Sequence, residues 1–137
     1  MPWIGANIRW IMIVSGALTT TMIYAAIAPD AALRSTFGET LEGPLAQILV
    51  RNWGALIALV GAMLIYGAFD PPGRPLILIV AGASKVVFIA LVLSQGARYL
   101  TQGAGVAVAS DSVMVALYLW YLLAGRVQKP TASVATV

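Results

Sequence analysis

The chain has 137 residues, of which 61% are hydrophobic and only 9% charged, and it carries a formal net charge of +3. Soluble domains carry roughly 25% charged residues, so an ordinary water-soluble fold is excluded and an all-α integral membrane protein is expected. With neither Cys nor His and only 5 carboxylates, disulfides, thiol catalysis and His-dependent triads are excluded, and no cofactor, metal site or catalytic residue is expected.

A bilayer core of about 30 Å asks for about 20 apolar residues per helix. Four such spans fill the chain as a single membrane domain, a four-transmembrane-helix bundle. They are expected at about 8–28, 45–69, 75–95 and 104–124. Lys and Arg together number 8 and form no run, so nucleic acid is not an expected partner and their placement reads as membrane topology.

In the first span, Trp10 through Ala28 contains no charge. Ala26-Ile27-Ala28 has the small-x-small pattern of a signal-peptide site, but Pro29 would follow the cut and disfavours it, so an uncleaved span is expected. Ser15/Thr19 and Gly16/Thr20 are i, i+4 pairs, and with Thr21 they make a small, hydroxylated face of the kind that lets a neighbouring helix approach closely.

The polar stretch 29–43 carries Asp30, Arg34, Glu39 and Glu42. Asp30 is expected to cap a short interfacial helix in which Leu33 and Phe37 are neighbours, with Gly38 ending it. Pro44 then suits the first turn of the second span. From Pro44 to Phe69 a helix is about 39 Å long, more than a bilayer core, so part of it tilts or projects. Arg51-Asn52-Trp53 marks the interface, and Gly54, Ala58 and Ala62, with Gly61 alongside, form a stripe for close packing.

Asp70-Pro71-Pro72-Gly73-Arg74-Pro75 is a tight turn, because its prolines and glycine cannot continue a helix. The third span follows, then a polar connection from Gln95 to Gly103 with Arg98 and Gln102. The fourth span carries Asp111, with Gly125 expected to stop it, Arg126 as an interfacial cation, and a polar, flexible tail over 126–137. All 7 prolines fall at span ends or outside them. Trp10, Trp53, Trp120 and Tyr121 read as interfacial belt residues.

Four spans put both termini and the 70–75 turn on one side, with Arg9, Arg74, Arg126 and Lys129. The other side holds Arg34 and Arg98, with Arg51 near its surface. This excess of cations places both termini in the cytoplasm and the 29–43 loop outside.

Two charges fall inside the spans. Lys85 lies roughly 15 Å deep in the third, and Asp111 roughly 11 Å deep in the fourth, from the outer side. The two spans are antiparallel neighbours, so a Lys85–Asp111 pair is geometrically allowed, and pairing relieves a cost of about 2.5–3.5 kcal/mol for each charge near the bilayer centre. Gly103, Ala107 and Asp111 recur every four residues, which sets the carboxylate on a small-residue face. Ser84 and Ser110 flank the two charges. Arg51 enters from the same side, so the three charges are expected to converge on one pocket in the outer half of the bundle. Tyr66 and Tyr118 are candidates to line either that pocket or the core. The plainer reading is a pair that fixes helix register, with Arg51 as an interface anchor.

The overall plan, Arg51-Asn52-Trp53-Gly54 opening a glycine-spaced second helix, and the Pro-Pro-Gly-Arg-Pro turn resemble the DoxX-like group of small bacterial membrane proteins, over the whole plan and residues 50–95 in particular. That resemblance implies a four-helix bundle in the bacterial inner membrane and supplies no catalytic residues. The small multidrug transporters are similar in size but depend on a glutamate in their first helix, where this chain has only Ser and Thr.

The first functional expectation is a protein that binds or transports a small or amphipathic molecule, an ion or a proton through a pocket built on Lys85 and Asp111, with membrane lipids as partners and a homo-oligomer or a larger membrane complex as the assembly. Its rival is a structural or assembly subunit of a larger membrane complex, in which the pair holds helices together. A lipid-modifying membrane enzyme using Asp111 as acid or base ranks third. A cavity beside the pair favours the first reading, and a dry, tightly packed pair the second.

Overall fold

Proline and glycine punctuation sets the element boundaries. The computed structural model describes residues 2–127. Among them are α1 (Pro2–Thr20), α2 (Ile23–Ile27), α3 (Pro29–Phe37), α4 (Pro44–Phe69), α5 (Arg74–Ser94) and α6 (Gly103–Val127), with no strand. Of the tail expected at 126–137, residues 128–137 lie outside the described residues. Four stretches are long and apolar enough to cross a membrane: Pro2–Ile27, Pro44–Phe69, Arg74–Ser94 and Gly103–Val127. Pro29 and Pro44 open α3 and α4, where a missing N–H costs little.

Two boundaries differ from the sequence reading. The first helix starts at Pro2 rather than near Ile8, since proline is tolerated in a first turn. The last helix runs through Gly125 to Val127. Gly125 does not take the left-handed conformation of a stop, which among the described glycines occurs only at Gly38, Gly43 and Gly96, and glycine inside a helix costs only about 1 kcal/mol against alanine.

The first span is broken where three threonines stand together. Thr19, Thr20 and Thr21 turn their hydroxyls back onto the carbonyls of Ser15, Gly16 and Leu18, a competition with the backbone ladder that bends helices. The amides of Thr21, Met22, Tyr24 and Ala25 then bond three residues back, as in a 3₁₀ turn, and α2 follows. The next helix, α3, has Ala28 as its N-cap without a side-chain bond. Asp30 therefore does not cap it. Instead its carboxylate accepts from Gln47 Nε2 at 3.0 Å, tying α3 to α4. Gly38 closes α3 in the left-handed region at φ 74°.

The long helices form two antiparallel hairpins, α1 with α4 and α5 with α6, arranged in the cyclic order α1, α4, α5, α6. Backbone-to-backbone contact at glycines holds the first hairpin. A Cβ on Gly61 would stand 2.7 Å from the Gly16 carbonyl oxygen, and one on Gly54 would stand 2.8 Å from that of Met22. The buried stripe on α4 is Gly54, Ala58, Gly61 and Leu64, while Ala62 is exposed. Helical geometry explains the departure from the expected stripe: seven residues close about two turns, whereas eight overshoot by about 80°.

Between the hairpins the seams are sparser, most of all between α1 and α6. One core cluster, built on Met12, Leu64, Leu78 and Tyr118, fills the half of the bundle nearest the 70–73 turn. There, Arg74 donates from Nε to the Gly67 carbonyl at 3.1 Å and from Nη2 to that of Ala68 at 3.0 Å, satisfying carbonyls at the end of α4. At the opposite end Phe37 packs against Trp53 and Tyr99, with ring centroids 6.0 and 5.4 Å away. Beside them Arg98 donates to Glu39, and that hydrogen bond, followed by the carboxylate's charge, raises the Arg98 pKa above its ordinary value.

Replacing Gly61 with leucine is expected to destabilise the fold by about 1–3 kcal/mol, read as a lower thermal unfolding midpoint in detergent, while Ala62→Leu, on the exposed side, leaves the midpoint unchanged. Arg74→Ala is expected to speed amide exchange in the last turn of α4 by about tenfold, as charged hydrogen bonds to its carbonyls are lost.

Candidate functional site

Three helices bring hydrophilic side chains to one depth by continuing their apolar stripes. On α5 the buried stripe is Leu78, Ala81, Lys85 and Val92. Helix α1 contributes Ile8, Met12, Ser15 and Thr19, and α6 contributes Ala104, Met114 and Tyr118, with Asp111 on the same face. Each follows the three- and four-residue spacing of a helix face turned to a core.

Lys85 Nζ donates to Asp111 Oδ1 at 2.6 Å and to Thr19 Oγ1 at 3.1 Å. The Thr19 hydroxyl in turn donates to the Ser15 carbonyl at 2.7 Å. One turn further along, Tyr118 donates its phenolic hydrogen to Ser15 Oγ at 2.6 Å, and Ser15 Oγ donates to the Met12 carbonyl at 3.4 Å. Charges taken out of water need partners of this quality to offset their desolvation.

The pair is asymmetric: the Lys85 side chain is 7% exposed and that of Asp111 16%. Among the described residues no buried side-chain nitrogen or oxygen lacks a partner. Among the described residues Asp111 Oδ2 makes no hydrogen bond, so it is not fully buried.

The cavity that Asp111 lines has a volume of about 460 Å³, within the range of small-molecule sites. It lies on the side of the core cluster nearest the 95–102 connection. Its polar lining is Thr19, Thr21, Ser84, Lys85, Ser110 and Asp111, and Leu18, Met22, Ile57, Val60, Phe88 and Met114 make most of the rest. Ser110 Oγ donates to the Ala107 carbonyl at 3.1 Å, which leaves its lone pairs free.

Lys85, Asp111, Ser84 and Ser110 thus meet around one space. Tyr118 lies beneath it, 1% exposed, in the hydroxyl network rather than on the cavity wall. Arg51 does not converge on the pair. Its Nη1 donates to the Ala26 carbonyl at 2.8 Å, because Val50 and Gly54 face the first span and a residue beside them points about 100° away. Tyr66 is 64% exposed and takes no part.

Thr19 and Ser15 are the residues that sequence reasoning assigned to packing alone. Their signal was their place on the Ile8–Met12 stripe at the depth of Lys85, where a hydroxyl can receive an ammonium hydrogen. Comparison with protein-family models, with curated proteins and with solved structures found no match.

Proposed function

We propose that the chain is an integral protein of the bacterial cytoplasmic membrane, with both termini cytoplasmic, that binds and carries a small amphipathic molecule in the cavity beside Lys85 and Asp111. Orientation rests on the excess of cations at Arg9, Arg74, Arg126 and Lys129, and the plan's resemblance to the DoxX-like group belongs to the same reading. The observation that carries the binding role is that the Lys85–Asp111 pair lines a cavity of about 460 Å³, with the second Asp111 oxygen free of a hydrogen bond among the described residues. A pair serving only to fix helix register has no need of that space, whereas an amphipathic ligand uses both the apolar walls and the polar patch.

The test compares wild type with three variants purified in mild detergent, by native mass spectrometry of small molecules retained on the protein. Wild type is expected to retain an amphiphile in stoichiometric amount, and Ala107→Phe, which fills the cavity, to lose it while remaining folded. Asp111→Leu alone leaves Lys85 unpaired and is expected to cost about 3–5 kcal/mol. Adding Lys85→Met should restore stability without restoring binding. Retention of the same molecule by Ala107→Phe and by the double variant would refute the binding role and favour the structural one.

A further inference from the structure

We infer that the ligand enters sideways from the bilayer, between α4 and α5, and that it is a neutral single-chain amphiphile whose head donates a hydrogen bond, such as a long-chain alcohol. This rests on the binding role proposed above and specifies the route and the class of ligand.

The route follows from two adjoining spaces. A groove of about 290 Å³ on the outer face of the α4–α5 seam is lined by Trp53, Leu56, Ile57, Val60, Ser84, Val87, Phe88 and Leu91. Ile57 and Val60 on α4, with Ser84 and Phe88 on α5, line both this groove and the cavity. Side chains from the two helices are therefore the boundary between the spaces. Of the four, Ser84 is exposed and the other three are only partly covered. The groove's outer wall is apolar through exposed Leu56, Val87 and Leu91, which suits a hydrocarbon tail lying in lipid.

The class of ligand follows from the charges. Lys85 and Asp111 together carry no net charge, so a charged head would bring an unmatched ion beside a pair that already balances itself. Such a head would also resist moving sideways to the depth of Lys85, roughly 15 Å from either surface. What the wall lacks is a donor to Asp111 Oδ2. A hydroxyl supplies it, and Ser84 and Ser110 can complete the head's remaining hydrogen bonds.

Photolabelling in phosphatidylcholine vesicles tests both parts, using hexadecanol, hexadecylamine and hexadecanoate that each carry a diazirine midway along the chain. The alcohol is expected to label Leu56, Val87 or Leu91 in a manner saturated by unlabelled hexadecanol, with preference over the two charged analogues of about tenfold or more. Ser84→Phe, which plugs the seam, should abolish the saturable fraction. Equal or stronger saturable labelling by the amine or the carboxylate would overturn the neutral head while leaving the binding role standing. Saturable labelling that survives in Ser84→Phe would overturn the lateral route. If none of the three probes labels saturably in wild type, the inference fails, and the binding role then stands or falls on the molecule retained during purification.

Discussion

The bundle is organised around the need of one ammonium for partners. Lys85 occupies a position on α5 that the helical period turns toward the core, and a charge there is tolerated only when opposite charge and oxygen acceptors meet it. Asp111 and Thr19 do so from α6 and α1, at 2.6 and 3.1 Å. A single side chain therefore links three helices, including α1, which stands diagonally across the bundle from α5. Its bond to Thr19 joins the two hairpins.

The contrast between seams explains why space survives beside this link. Gly16 and Gly61 let α1 and α4 approach, and Gly54 lets α2 and α4 do so, until carbonyl oxygens face Cα atoms, which leaves no room for anything between them. Nothing comparable draws α1 to α6. The threonine run also interrupts the first span just beyond Thr19, so that Thr21 and Met22 line the widened region instead of closing it. Close packing in one seam and looseness in another place the cavity against the charged pair.

Much of this was legible in the sequence because it depends on local chemistry. Proline placement and uninterrupted apolar runs locate the four long helices, since a helix in apolar surroundings must satisfy its own backbone and cannot absorb a proline in its interior. The juxtaposition of Lys85 and Asp111 was accessible as well, from depth arithmetic on adjacent antiparallel helices. What depends on rotation about a helix axis was not. Arg51 has nearly the right depth but faces α2, Tyr66 points outward, and Ala62 falls off the stripe that Gly61 continues. Sequence spacing gives depth along a helix more securely than direction around it. The Thr19 contact needed both, together with knowledge that α1 stands opposite α5.

The polar network also has an end, and that end gives the site a direction. From the cavity it passes through Asp111 and Lys85 to Thr19, while Ser15 and Tyr118 form a second hydroxyl pair one turn further along α1. The two sets share residue Ser15 but not a hydrogen bond: its carbonyl accepts from Thr19, while its Oγ accepts from Tyr118 and donates to the Met12 carbonyl. Beyond Tyr118 lie Met12, Leu64 and Leu78, all fully buried and without polar atoms that carry exchangeable protons. A continuous proton or ion path through the bundle would need donors and acceptors across that layer. The apolar layer lies on one side of the pair and the cavity on the other.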